Sequence, residues 1–331
     1  MTRGAALTEA LLITLATPAT WPLALGAFLV RGGIVLVTLP VVVLPTPVGL
    51  GNVLAPAITP IALGSVPPGV VVASAAVAVA VVGWIVLGGW LAAALEAEGA
   101  RIVARDPDLA DAGRDAEHVV TAGAVRVAWR ILAARLLALI PLAAALALGA
   151  VRVVAVTYDE LVVPSDTATP IVVRVVRAAP EVILVAVAAW IVGEILGAVA
   201  ARRIALDDDR VGGALRAAAV RSVQHPLAAL ARFLLPTAAL ALVLVPTAIA
   251  TGSAWEALGG ALRSGGDPLT VVVTVVLFVG LWVAGLFLVA IVSAWRAAVW
   301  TVADVTAAGT FGGSTDRRPG DWRAGRTSAR L

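Results

Sequence analysis

The chain contains no cysteine and no lysine, and only one methionine, one tyrosine and two histidines among its 331 residues. The absence of cysteine excludes disulfides, thiolate metal sites, iron–sulfur clusters and cysteine nucleophiles. Charge is also scarce: charged residues make up 14% of the chain, whereas a typical soluble domain carries about 25%. Because 61% of the residues are hydrophobic, we expect a membrane protein rather than a soluble or disordered chain.

Sequence motifs of catalysis are absent as well. The chain has no Walker loop, GxSxG, HExxH or paired membrane aspartates. A loop rich in carboxylates contains His118, but it lacks the glycine and glutamate spacing of a calcium loop, and the other histidine, His225, is remote. We interpret these carboxylates as a solvated helix face, so we expect no metal. We also expect no cofactor, and we favour a non-enzymatic protein. The carboxylates are Asp106, Asp108, Asp111, Asp115 and Glu117.

Long apolar runs determine the predicted architecture. The stretch from Glu181 to Arg203 has a single interior carboxylate and ends at paired arginines. About 20 apolar residues, at roughly 1.5 Å each, cross the hydrocarbon of a bilayer. The sequence therefore predicts an all-α fold, a polytopic transmembrane helix bundle of about six spans. The spans are expected within 22–45 and at about 70–95, 129–156, 181–203, 227–250 and 269–294.

The distribution of arginine predicts the domains and the orientation. Residues 1–303 are expected to form the transmembrane helical domain, and residues 304–331 a disordered cytoplasmic tail rich in glycine and arginine. Most arginines outside the spans collect on the side that also holds both termini, so the positive-inside rule places both termini in the cytoplasm. We expect a multi-pass protein of the cell (plasma) membrane. No cleavable signal is expected, because the first apolar run is short and broken by Pro18.

Three further segments have distinctive patterns. Residues 45–69 are uncharged and rich in proline, so they form either a segment packed on the outer helix ends or a re-entrant loop. Residues 211–223 follow three aspartates that would cap a helix start, and we predict a short cytoplasmic amphipathic helix there. Similar surroundings of Trp84, Trp190 and Trp282, about a hundred residues apart, indicate either three helical-hairpin repeats or chance matches in apolar sequence.

Glu194 is the first candidate for a functional residue. It stands eight residues before Arg202, about 12 Å inside the membrane by helical rise. A charged carboxylate at the centre of a spanning helix costs roughly 2.5–3.5 kcal/mol on insertion scales, so we expect Glu194 to be paired, protonated or in contact with water. The favoured interpretation is an ion pair with Arg31 or Arg135 that fixes helix order, and the alternative is a proton or cation site.

Three arginines and two glycines complete the set of candidate residues. Arg31, Arg135 and Arg232 each stand near the cytoplasmic start of an odd-numbered span. Their default interpretation is snorkelling to the interface, and the alternative is a clamp for an anionic lipid headgroup or substrate. Gly193 and Gly197 form a GxxxG pair, which predicts a close helix–helix contact.

The stretch ALRAAAVRSVQHPLAALARFLLP, residues 214–236, together with the six spans and the amphipathic helices, resembles a bacterial family. These are the six-span proteins of the glycerophosphoryl diester phosphodiesterase membrane-domain type. The resemblance covers the organisation and about 60 residues around the fourth and fifth spans. The polar opening motif of that family is absent, as are phosphodiesterase catalytic residues, so the resemblance implies a fold and no activity.

Two hypotheses for function follow. The leading one is a non-enzymatic scaffold or partner subunit, with membrane lipids and either a protein subunit or a second copy of the chain as partners. The alternative is a transporter or lipid-handling permease that uses Glu194 and the intramembrane arginines, which requires a polar cavity lined by Glu194. Nucleic acid is not expected as a partner, because the arginines stand at the ends of apolar runs rather than on a solvated face.

Overall fold

The computed structural model describes residues 3–42, 63–106, 123–166 and 168–312, together with residues 49, 55–56, 59–60 and 109. Regular structure in this part of the chain is entirely helical, and helices are numbered here in chain order. The helices of eight or more residues are α1 (Arg3–Ala16), α2 (Thr20–Val41), α3 (Pro68–Ala104), α4 (Ala124–Ala138), α5 (Ile140–Val162), α6 (Ile171–Ala178), α7 (Pro180–Asp207), α8 (Val211–Gln224), α9 (Pro226–Arg263) and α10 (Pro268–Gly312).

Six of these helices are long and apolar enough to cross a membrane: α2, α3, α5, α7, α9 and α10. The prediction of an all-α bundle of about six spans is therefore confirmed. The predicted third span, about 129–156, is wrong in its limits. The chain there is divided between α4 and α5, because Pro141 begins a new helix just after Leu139.

Several helices continue past the charges at which the predicted spans end. Helix α3 extends beyond Glu96 to Ala104, and α7 extends beyond Arg203 to Asp207. Helix α10 continues to Gly312, so residues 304–312 of the predicted tail are helical. The helices therefore protrude beyond the apolar stretches at one end of the bundle.

Packing is concentrated at that same end. The buried core is built of alanine, valine and isoleucine side chains from the ends of α3, α7 and α10 and from α1, α4 and α8. Small side chains let these helices approach closely. Helix α1 is held on α10 by the Trp295 indole, which donates to the Leu7 carbonyl at 3.1 Å.

The remaining length of the spans has little protein around it. In the most apolar stretch of each span, at most 28% of the residues are buried. Large apolar side chains such as Val79, Leu148 and Leu242 are exposed there. A continuous apolar surface of this size requires lipid contact, as expected for a protein that spans a membrane.

The aspartates before α8 have a different role from the predicted one. A helix does occupy Val211–Gln224, but its N-cap is Arg210 and no side chain caps it. Instead, Arg130 Nη1 donates to Asp208 Oδ1 at 2.5 Å, and Arg203 Nε donates to Asp209 Oδ2 at 2.7 Å. The carboxylates are drawn to guanidinium groups of α4 and α7, since charged hydrogen bonds are stronger than those to backbone amides.

Some predicted features lie outside the described residues. They include residues 313–331 and most of residues 45–69. For residues 45–69, the packed segment and the re-entrant loop both stay predictions. The loop residues Asp108, Asp111, Asp115, Glu117 and His118 also lie outside them.

Candidate functional site: a charge cluster in an amphipathic cavity

Glu96 is buried in the interior of α3, with 6% of its side chain exposed. Three arginines from three other helices donate to its carboxylate. Arg31 of α2 donates through Nη2 to Oε2. Arg135 of α4 donates from Nη2 to Oε1 at 2.6 Å and from Nε to Oε2 at 3.0 Å, and Arg202 of α7 donates from Nη1 to Oε1 at 2.5 Å. Glu96 therefore joins α2, α4 and α7 to α3.

Local sequence explains how a carboxylate is accommodated there. Ala92 and Ala100 lie one helical turn before and after Glu96, and both are buried. Residues four apart share one face of a helix. This face of α3 therefore has small side chains on either side of Glu96, which leave space for the guanidinium groups.

Arg202 is the most deeply buried of the three arginines, with 3% of its side chain exposed. Besides Glu96, its Nε donates to Thr301 Oγ1 at 3.1 Å and its Nη2 donates to the Ala297 carbonyl at 3.2 Å. Each of the three guanidinium nitrogens therefore has a protein partner. Arg202 fixes α7 against α10 and has little capacity for a ligand.

A second carboxylate, Glu194 of α7, extends the network. Arg296 Nη2 of α10 lies 3.3 Å from Glu194 Oε2, and Arg135 Nη1 lies 3.8 Å from the same atom. Arg135 thus connects both carboxylates. We call the whole set the charge cluster: Arg31, Glu96, Arg135, Glu194, Arg202 and Arg296.

The charge cluster has a formal excess of positive charge. It contains four guanidinium groups and two carboxylates, and arginine stays protonated in proteins. A buried network whose only role is structural is stable when its charges balance, because each unpaired buried ion carries a desolvation penalty of several kcal/mol. The charge cluster therefore has two more cationic groups than carboxylates to pair with them.

The charge cluster lines a cavity of about 610 Å³. Within the described part of the chain, these six residues are the charged ones on its wall. The side chains of Arg31 and Arg296 are 34% and 27% exposed, so their donors reach the cavity. Most of the remaining wall is apolar and includes Val35, Leu36 and Leu244. The cavity is therefore amphipathic, because its wall combines guanidinium groups with aliphatic side chains.

Aromatic side chains form part of the same wall. The rings of Trp190 and Phe233 meet edge to face with centroids 5.4 Å apart. The Arg296 guanidinium carbon lies 5.9 Å from the centre of the Phe233 ring, within the range of a cation–π interaction. Trp190 and Phe233 therefore hold Arg296 at the cavity wall.

Arg31 owes its position to a break in α2. Helix α2 is kinked within Leu29–Gly33, where Gly32 has a non-helical φ of 105°. A positive φ of this kind is readily adopted only by glycine. The break directs the chain at Arg31 towards Glu96.

Replacing Gly32 by alanine is expected to destabilise the protein by about 1–3 kcal/mol, because the side chain strains a backbone conformation that glycine adopts freely. The matched control is Gly83→Ala in α3, a helical position with negative φ and nothing within 4 Å of an added Cβ. That change is expected to be neutral or slightly stabilising. Equilibrium unfolding in mixed micelles measures both variants. Equal stabilities of the two would show that the break at Gly32 is not required.

The structure brings some of the predicted residues together and leaves one apart. Glu194, Arg31 and Arg135 line the same cavity, and the partners of Glu194 are Arg296 and Arg135. Arg232 lies elsewhere, in a narrow pocket beside the pair formed by Arg221 and Asp304.

The two predicted packing glycines lie against α4. A Cβ added at Gly193 would be 2.9 Å from the Ala138 carbonyl oxygen, and one at Gly197 would be 3.4 Å from Arg135 Cγ. Close approach of α7 and α4 thus positions Arg135 between the two carboxylates.

Sequence reasoning missed Glu96, Arg202 and Arg296 as members of the site. The available signal was the spacing of Ala92, Glu96 and Ala100, which places a carboxylate on a small-residue face of a helix. Among the described residues, no three histidine, aspartate or glutamate side chains come together in a way that could hold a metal ion.

Comparison of the chain with protein-family models, with curated proteins and with solved structures gives no match. The resemblance to the six-span membrane-domain family therefore stays a prediction.

Proposed function

We propose that this protein is a lipid-handling membrane protein, of the transporter or permease class, that binds the anionic headgroup of a membrane amphiphile at the charge cluster. One observation carries the proposal. Guanidinium groups in excess over carboxylates line a cavity whose wall is otherwise largely apolar. An anionic headgroup would accept from Arg31 and Arg296, and its chain would lie along Leu36 and Leu244.

The size and exposure of the site support this proposal. Ligand cavities are commonly about 300–1,000 Å³, and this one is about 610 Å³. The Glu194 side chain is 22% exposed and lines the cavity, whereas a carboxylate that only fixed helix order would be sealed from it. The scaffold hypothesis has no comparable observation in its favour.

The expected orientation of the chain indicates the side of the membrane from which a ligand would enter the cavity. We infer that the protein resides in the plasma membrane with both termini in the cytoplasm, since the positive-inside rule assigns the arginine-rich ends to that side. The charge cluster lies towards these ends, where α3, α7 and α10 are packed. Anionic lipids are enriched in the cytoplasmic leaflet and attract basic residues, so the ligand would enter from that leaflet.

Lipid binding by purified protein in nanodiscs tests the proposal. Native mass spectrometry is expected to show tighter binding of dioleoyl phosphatidylglycerol than of dioleoyl phosphatidylcholine. Arg296→Gln should weaken binding of the anionic lipid by at least about tenfold, because a hydrogen bond to a charged group contributes about 1.5–3 kcal/mol.

The matched control for this experiment is Arg152→Gln. Arg152 forms an exposed ion pair with Glu181 at 3.2 Å and does not line the cavity, so its loss should leave lipid binding unchanged. Equal binding of the two lipids, or equal effects of the two substitutions, would contradict the proposed function. Copurification of a protein subunit without bound lipid would instead support the scaffold hypothesis.

A further inference from the structure

The charge balance of the cavity carries information about the headgroup itself. Four arginines and two glutamates line it, which leaves two positive charges to be neutralised by a ligand. A phosphodiester or a carboxylate has one negative charge and would leave one guanidinium without a counter-charge. A phosphomonoester or a diphosphate supplies two, so it matches the excess.

Two hydroxyl groups add hydrogen-bonding capacity at the same wall. Ser293 and Thr237 line the cavity, and Ser293 is 9% exposed. Within the described part of the chain, neither Ser293 Oγ nor Thr237 Oγ1 has a hydrogen-bond partner, although both atoms are buried. A buried hydroxyl without a partner is costly. These two donors are therefore available to a ligand with several acceptor oxygens.

We propose that the cavity selects a dianionic phosphate headgroup, a phosphomonoester or diphosphate carried on an aliphatic chain. This inference rests on the proposed function and specifies its substrate class. Arg31, Arg135 and Arg296 neutralise the phosphate oxygens, and Ser293 and Thr237 donate to those that remain. Glu96 and Glu194 orient the guanidinium groups. They also limit the net positive charge of the cavity wall to two.

The chain of the amphiphile has its own place in the structure. Leu36 and Leu244 line both the cavity and a second, apolar pocket between α2, α9 and α10. That second pocket holds only about 20 Å³, so it does not accommodate the chain. The chain lies instead on the aliphatic wall of the cavity itself, which a free phosphate would leave uncovered. The ligand is therefore an amphiphile rather than a soluble phosphate.

The first test compares two lipids that differ only in the headgroup. Dioleoyl phosphatidic acid is a phosphomonoester, and dioleoyl phosphatidylglycerol is a phosphodiester with the same chains. At pH 8 the phosphomonoester is close to a dianion, because its second pKa is about 6. The purified full-length protein is expected to bind phosphatidic acid at least about tenfold more tightly, from the additional charge-assisted hydrogen bonds.

The second test changes the charge of the cavity by one unit in each direction. Arg296→Gln lowers the excess by one, and Glu194→Gln raises it by one. The preference for phosphatidic acid over phosphatidylglycerol should collapse in Arg296→Gln and persist or increase in Glu194→Gln. Arg152→Gln should match the wild type. A network with a purely structural role would not lose lipid selectivity in Arg296→Gln and retain it in Glu194→Gln.

A third variant removes a donor without changing charge. Ser293→Ala deletes an unpartnered hydroxyl, so it should weaken phosphatidic acid binding several-fold while leaving the unfolding temperature unchanged. This variant keeps the proposal testable even where a charge variant fails to fold.

The outcomes separate this inference from the proposed function. Equal affinity for the two anionic lipids, with both weakened by Arg296→Gln, would overturn the dianion preference and leave lipid binding intact. Failure to bind either lipid would overturn both. Complete displacement of phosphatidic acid by millimolar inorganic phosphate would identify a soluble phosphate as the ligand and overturn the assignment of an amphiphile.

Discussion

Replacing Glu96 by glutamine should lower the free energy of unfolding by about 3–5 kcal/mol, the cost of removing one partner from a buried ion pair. The substitution leaves Arg31, Arg135 and Arg202 around a neutral amide that cannot neutralise them. Arg202 has 3% of its side chain exposed and cannot regain hydration without opening α7 from α10. Equilibrium unfolding in mixed micelles, followed by circular dichroism, measures the change.

A matched control is provided two residues along the same helix. Glu98 has 49% of its side chain exposed and lies 3.6 Å from Arg101, so Glu98→Gln should change stability by less than about 1 kcal/mol. Similar losses for the two variants would contradict the central role of Glu96. The double variant Glu96→Gln, Arg202→Gln should recover part of the loss, because it removes the most buried unpaired cation.

Replacing Gly193 by leucine should separate α7 from α4 and cost about 2–3 kcal/mol, in the range measured for overpacked sites. An added Cβ would lie 2.9 Å from the Ala138 carbonyl oxygen and 3.0 Å from Leu139 Cδ2. The carbonyl is backbone, so relief requires movement of a helix. Because α4 carries Arg135, the same movement should weaken binding of anionic lipid.

Gly280→Leu serves as the control for this substitution. Gly280 lies in α10 with nothing within 4 Å of an added Cβ, so the same change of residue should be tolerated. Unfolding in mixed micelles and lipid binding by native mass spectrometry measure both variants. Loss of stability without loss of lipid binding in Gly193→Leu would show that the position of Arg135 does not depend on this helix contact.

The number and type of spans could be predicted from the sequence because they depend on apolar length alone. A run such as residues 181–203 is too long and too uncharged for another assignment. The division at Leu139 was missed, although Pro141 marks the start of a helix. The apolar run continues across Leu139, so the hydropathy pattern gave no sign of the break between α4 and α5.

The charge cluster was only partly predictable. Glu96, Arg202 and Arg296 stand near the ends of the predicted spans, where a charge ordinarily marks the membrane surface. The helices instead continue past them, and neighbouring helices bury Glu96 and Arg202. Partners of Glu96 come from positions 39 to 106 residues away, and sequence spacing gives no information on contacts between such distant helices.

Glu194 was recognised for the opposite reason. It stands inside an apolar run with no other charge. The free-energy cost of a charged carboxylate inside a spanning helix indicates that it has a partner or faces a cavity. Its nearest arginine partner, Arg296 at 3.3 Å, follows the predicted end of the sixth span and was not among the candidates. A charged site residue is therefore found most readily when it interrupts an apolar run, and is missed when it follows one.

A cryo-EM map of the protein in nanodiscs that contain dioleoyl phosphatidic acid would test the amphipathic cavity most directly. We predict phosphate density within hydrogen-bonding distance of Arg31 and Arg296, with chain density along Leu36 and Leu244. A map with lipid only around the outer surface, and with the cavity closed by side chains or filled by water, would contradict binding of an amphiphile at the charge cluster.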